Sequence, residues 1–152
     1  MIENWNGKVE DNDDVWIVGD FCHRSAKSPD WYLKQLVGRQ HLIVGNHDNV
    51  IFQNAKAQEY FESIEKIGFV KGDDGKQVIL CHYPFAAWKY MSHGPWHVYG
   101  HLHARRDEAF EFRKTRELAL NAGACINGDV PVSFSELLLN NRLFQEEGLR
   151  RS

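Results

Sequence analysis

Gly19-Asp20, Gly45-Asn46-His47-Asp48, Cys81-His82 and Gly100-His101-Leu102-His103 each follow a short apolar run. Carboxylate, amide oxygen and imidazole together form a donor set that suits divalent ions such as manganese, iron or zinc. Thiolate is absent from the set. His101 and His103, two positions apart, can aim at one centre or at two neighbouring ones. Taken singly, each residue has a plainer reading. Asp20 is a polar turn residue, Asn46-His47-Asp48 a turn whose side chains satisfy backbone groups, and His82 a satisfied buried histidine. Their recurrence at the ends of successive runs is what turns them into a candidate metal site. His41, His93 and His97 lack that context and read as surface or structural histidines. Trp5, Trp16, Trp31, Trp88 and Trp96 read as packing residues, because no basic residues interleave them into a base-stacking platform. Cys22 and Cys81 read as small buried fillers.

The elements that must carry these groups are four apolar, β-branched runs: Val15–Val18, Leu42–Val44, Val78–Leu80 and Trp96–Tyr99. Their near-continuous hydrophobicity predicts strands covered on both faces. Between the first two, Ser28-Pro29 opens and Gly38 closes a predicted crossover helix. Residues 54–66 are a second helical candidate, and Asp73-Asp74-Gly75 reads as a turn into the third strand. Ser133-Phe134-Ser135-Glu136 has capping-box spacing, although Leu137-Leu138-Leu139 behind it would also suit a strand. Strands alternating with helices predict a layered α/β domain. In such sheets ligands bind beyond the strand ends, where glycine allows the sharp exit that brings side chains together.

At 152 residues the chain fits one domain over residues 1–152, with no repeat or linker-like tract. Hydrophobic residues at 43% and charged residues at 26% are those of a globular protein. A net charge of −3 gives no overall basic footprint for nucleic acid, which enters only as a conceivable substrate. The three cysteines form no Cys-x-x-Cys pair, so neither a zinc knuckle nor a disulfide framework is indicated. No apolar stretch approaches the ~18 residues of a membrane span, and Met1–Asn6 lacks signal-peptide order. A cytoplasmic, membrane-free protein is the expectation.

The ordered set Gly-Asp, Gly-Asn-His-Asp, His, Gly-His-x-His resembles the calcineurin-like metallophosphoesterases over about residues 1 to 140. Cys81-His82-Tyr83-Pro84-Phe85 and Pro131-Val132-Ser133-Phe134 are similar to the small bacterial and phage members. The resemblance implies an α/β/β/α sandwich and hydrolysis of phosphomonoesters or phosphodiesters by a metal-activated water. It implies two divalent ions, manganese first and iron or zinc as alternatives. Asp20 would bridge them, Asn46, His82 and His101 would complete the second ion's ligands, and His103 would serve the first. His47 matches the position that assists the leaving oxygen, with Asp48 orienting its ring. Arg24 stands where protein-phosphatase members place a phosphate-binding arginine, and Arg105 and Arg106 could add a positive rim.

One family motif is missing: no Asp-x-His occurs, and Glu3-Asn4-Trp5-Asn6 resembles the end of the helix that follows it. The chain therefore reads as lacking the first strand and two ligands, with the second metal site the better furnished. His23 is the residue at hand as a replacement ligand, although its position matches a variable slot. An exposed strand edge would follow, which a homodimer could cover. The alternative to an enzyme is a truncated paralogue that binds a metal or a phosphate-bearing ligand without turnover. A zinc-binding nucleic-acid module ranks last, on charge and cysteine spacing.

Overall fold

The computed structural model describes residues 1–72, 75–92, 94–114 and 116–149. In chain order the elements are α1 (Ile2–Asn6), β1 (Asp14–Ile17), α2 (Pro29–Leu33), β2 (Arg39–Ile43), α3 (Asn49–Phe52), α4 (Ala55–Gln58), β3 (Phe61–Glu65), β4 (Ile67–Lys71), β5 (Gln77–Cys81), β6 (Trp96–Tyr99), α5 (Glu108–Lys114), β7 (Ala119–Asn121) and α6 (Phe134–Leu149). A 3-10 turn, Ala124–Ile126, separates β7 from α6. Of the turn expected at Asp73-Asp74-Gly75, the two aspartates lie outside the described residues, as does His93. Gly75 donates its amide to the Gly72 carbonyl at 2.9 Å.

The strands form two sheets, ordered β1-β2-β3 and β4-β5-β6-β7. The first is parallel throughout. In the second, β4 runs antiparallel to β5, whereas β5-β6-β7 are parallel. The apolar runs form strands because parallel strands with both faces covered need apolar side chains on alternate and intervening positions alike. Leu42 and Ile43, adjacent in β2, show this: both are fully buried, one on each face. Ile43 belongs to the core between the sheets, with Val78, Leu80, Val98 and Leu120 from the facing sheet and Leu137 from α6. Leu42 packs on the opposite side with Leu33, Ile51, Ala57 and Phe61, under α2, α3 and α4.

The two sheets approach closely at Gly68. A Cβ there would stand 2.8 Å from Ile43 Cδ1 and 3.1 Å from Trp16 Cζ3. Glycine at this point lets β4 lie against the first sheet with no side chain between them.

Three expectations change in detail. Residues 54–66, read as one helix, divide into α4 and β3. Asn54 caps α4 by accepting the Ala57 amide at 3.0 Å, and the helix ends after one turn. The Phe61-Glu62-Ser63-Ile64-Glu65 alternation then pairs in parallel with β2, and tertiary pairing overrides local helix propensity. The crossover helix is shorter than Ser28 to Gly38, with Pro29 at its first position and Leu33 at its last. The triple-leucine segment is helical. Ser133 donates its amide to Glu136 at 2.8 Å while its hydroxyl accepts the Glu136 amide at 3.3 Å, a reciprocal cap.

The residues read as structural behave so. His41 stacks on Trp16 at 4.4 Å and bonds Ser63 and Asp14. His97 is fully buried, facing the Ile79 carbonyl through Nδ1 and accepting the Phe85 amide at Nε2, with the Phe85 ring stacked on it at 4.7 Å. Cys22 and Cys81 are free and buried, and burial pushes both thiols up. Among the described residues no helix is long and apolar enough to cross a membrane.

A groove of about 560 Å³ runs beside the outer edge of β1, lined by Val15, Trp16 and Val18 on one side and by Val78, Leu80 and Val98 on the other. It is distinct from the polar strand ends.

Candidate metal centre

Four strand exits supply the centre. After β1, the chain turns through Gly19 at φ 86° and Asp20 at φ 60°. For an aspartate, that left-handed conformation costs about 1 kcal/mol. It swings the carboxylate back over the sheet end, where Oδ1 accepts the His47 amide at 2.8 Å. Gly19 is where His82 comes closest: a Cβ there would meet His82 Nδ1 at 2.2 Å. Only glycine leaves room for that ring.

His82, which follows β5 directly, is 2% exposed. Its Nδ1 lies 2.9 Å from the Val18 carbonyl, an acceptor, so the proton of the neutral ring belongs on Nδ1. Its Nε2 is then a lone pair. That lone pair faces Asn46 Oδ1 at 3.0 Å, His101 Nδ1 at 3.1 Å and Asp20 Oδ2 at 3.5 Å. The ligand atoms of Asp20, His82 and His101 all lie within 4.8 Å of one another. Burial, then the neighbouring His82 imidazole, hold His101 below the ordinary histidine range, which favours the form of the ring that keeps a lone pair to offer. With the His101 proton on Nε2, lone pairs from both rings, the Asn46 amide oxygen and the Asp20 carboxylate converge, an arrangement that a divalent cation would satisfy. The donor set present fits such an ion.

Asp48 sits one turn behind this group and is fully buried. Its Oδ2 accepts the amides of Gly45 at 2.7 Å and Asp20 at 2.9 Å, and its Oδ1 accepts that of Phe21 at 2.9 Å. It fastens the β1 exit to the β2 exit. No hydrogen bond joins it to the His47 ring, the partner expected for it. His47 is exposed, and its ring lies against that of His23, centroids 3.7 Å apart and tilted by 34°.

The remaining site residues are less drawn in. His103 is exposed with φ 51° and lies outside the 4.8 Å group, although its charge reaches His101. Arg24 is exposed, has φ 54° and forms no ion pair among the described residues. Arg106 turns away from the centre, donating to the Phe144 carbonyl at 2.9 Å.

Sequence reasoning passed over two supports. Tyr83 places its ring 4.8 Å from His101 and 5.0 Å from His82, at 47% exposure. Its place directly after His82 was the available signal. A buried asparagine group holds the His103 loop: Asn121 Nδ2 donates to the His103 carbonyl at 2.6 Å, and Asn141 of α6 accepts the Asn121 amide at 2.7 Å. Nothing in the spacing of those asparagines foretells their meeting.

The family model for calcineurin-like phosphoesterase matches residues 2–131. The chain belongs to this family. An uncharacterised protein of Methanocaldococcus jannaschii is 30% identical over 135 residues, covering 88% of this chain and 68% of that one. The gene 66 protein of mycobacterium phage L5 is 28% identical, covering 68% of this chain and 63% of the phage protein. The chain thus spans about two thirds of the length of these curated relatives. A crystal structure of a protein of unknown function from Aquifex aeolicus matches with a TM-score of 0.64 and 26% identity, over 89% of this chain and 80% of that one. The layered α/β sandwich expected from the sequence is therefore the calcineurin-like fold. Within that metal-binding family, Asp20, His82 and His101 are the group that could hold an ion among the described residues.

Proposed function

We propose that this calcineurin-like chain hydrolyses phosphomonoesters or phosphodiesters with a divalent cation, manganese foremost, held by Asp20, Asn46, His82 and His101. The observation that carries the reading is the lone pair of His82 Nε2 facing three further donor atoms, nearest of them Asn46 Oδ1 at 3.0 Å. Bound there, the cation supplies positive charge to the phosphoryl oxygens and acidifies a water. The chain's own residues do the rest. Val18 fixes the His82 tautomer through its carbonyl. Asp48 holds the Asp20 and Gly45 turns in register, so that carboxylate and amide arrive together. His47, exposed at the rim, presents an imidazole whose ring proton can pass to the departing oxygen. Arg24, exposed on the loop that follows β1, is assigned to the phosphate, and His103 to a further cation.

The test is metal analysis together with a chromogenic phosphodiester assay on the unaltered protein, Asp20→Ala and His101→Ala. Metal bound with turnover in the first, and both lost in the variants, supports the proposal. Metal content unchanged in both variants would sink the assignment of the site.

A second reading is a metal- or phosphate-binding protein without turnover, favoured by His103 standing outside the ligand group. Metal bound at Asp20 and His101 with no hydrolysis of monoester or diester would select it.

A further inference from the structure

The role given to His47 demands that its ring point steadily at the departing oxygen, and its own bonds do not ensure this. Among the described residues its only hydrogen bond runs from the backbone amide to Asp20 Oδ1, which leaves both side-chain torsions free. Asp48, the neighbour expected to orient the ring, is fully buried and uses its carboxylate on the amides of Gly45, Asp20 and Phe21. The contact on the ring is that of His23, at 3.7 Å between centroids.

His23 is well placed to act as a fixed surface. The segment leading to it is held at three consecutive positions: the Asp20 and Phe21 amides by Asp48, the Phe21 ring edge-on to Phe61 at 6.3 Å, and Cys22 buried at 6% exposure. His47 follows a turn clamped by the same carboxylate, through Gly45. The two imidazoles are therefore mounted on backbone segments that Asp48 locks together, and at 3.7 Å between centroids their faces are in direct van der Waals contact. Rotation of His47 about either side-chain torsion would break that contact. Both rings are exposed, so the stack stands on the solvent side, where an ester's leaving group must depart.

We propose that His23 is a positioning residue: its ring stacks on His47 and holds that imidazole in the orientation that serves the leaving oxygen. This rests on the phosphoesterase reading above. It differs from the replacement-ligand role, which the sequence position of His23 disfavours, because stacking needs a flat ring and no nitrogen.

The experiment compares His23→Ala with His23→Phe in the manganese-loaded protein, on a p-nitrophenyl ester and on the corresponding phenyl ester. Assistance to the leaving oxygen matters most when that oxygen leaves poorly, so His23→Ala should lower kcat on the phenyl ester roughly 10-fold or more and leave the p-nitrophenyl ester nearly untouched. His23→Phe should restore most of the loss. Independently of activity, the His47 ring-proton resonances of the metal-free protein should move on His23→Ala and stay displaced by ring current in His23→Phe. Equal turnover of unaltered protein and His23→Ala on both esters overturns the inference and leaves the phosphoesterase reading standing. Loss of manganese binding in both variants overturns it in favour of ligation by His23. No turnover by the unaltered protein overturns the phosphoesterase reading and this role with it, whatever the resonances show about the stack.

Discussion

Asp48 and Asp20 stand 28 positions apart, yet the carboxylate of the first accepts the amide of the second at 2.9 Å. That bond is one of three that Asp48 makes to backbone amides from a fully buried position. Asp48→Asn replaces one accepting oxygen by an NH2 group that faces amide protons. The expected cost is about 3 kcal/mol, the range for a buried charge-assisted bond whose donor is left unsatisfied. Urea denaturation should show it as a lowered midpoint with unchanged slope, and manganese affinity should fall with it because the Asp20 turn loosens.

Cation binding should stabilise the folded chain measurably, since the ligand atoms come from segments that are brought together only by folding. At manganese concentrations 100-fold above Kd the gain is about 2.7 kcal/mol, or roughly 5–10 °C in Tm for a chain of this size. Chelation should reverse the shift. Asp20→Ala and His101→Ala should show little or no shift. A rise of equal size in those variants would place the ion elsewhere.

Gly19→Ala brings a methyl group to 2.2 Å from His82 Nδ1 and also strains a backbone at φ 86°. The ring must move away from the Val18 carbonyl and with it the lone pair that Asn46, His101 and Asp20 face. Calorimetric titration should record an affinity for manganese lowered by more than the ~10–100-fold associated with losing a partner behind a metal ligand. Folding itself should survive, with circular dichroism unchanged in shape.

Glu136 offers a pH-dependent tether. Hydrogen bonding to Lys8, then to the Ser133 amide and hydroxyl, holds its carboxyl down to about 2 from an ordinary 4.5. A depressed folded-state value means that the stabilising bond is present above the ordinary value and disappears as pH falls toward about 2. The Tm difference between the protein and Glu136→Gln should therefore be greatest near neutral pH and close between pH 4.5 and 2. Because Glu136 is exposed, the effect should also shrink in high salt.

The sequence showed its strands most clearly where both faces are buried, because there the apolar run cannot alternate. Leu42-Ile43 and Val78–Leu80 are such places. β3, β4 and β7 escaped notice for separate reasons. β3 begins just after Ala55–Gln58, whose composition favours helix. β4 exposes Ile67 and Phe69, and β7 spans only Ala119–Asn121. At the centre, residue types after strand ends were enough to single out Asp20, Asn46, His82 and His101, whose polar atoms the fold brings together. Partners were not legible. That Asp48 would serve backbone amides, and that His23 would meet His47, depends on two loops whose approach no local pattern encodes.

Gly68 lies at neither a strand end nor the centre, yet a methyl group there would push against Ile43 and Trp16 of the opposite sheet. Asp20 and Asn46 leave the first sheet, whereas His82 and His101 leave the second. The gap across which these donors face one another is therefore the gap between the sheets. A substitution deep in the apolar seam could retune ion preference without touching any ligand: a slightly wider seam would favour a larger ion and a tighter one a smaller. For an ion held as proposed, selectivity would in that sense be a property of core thickness.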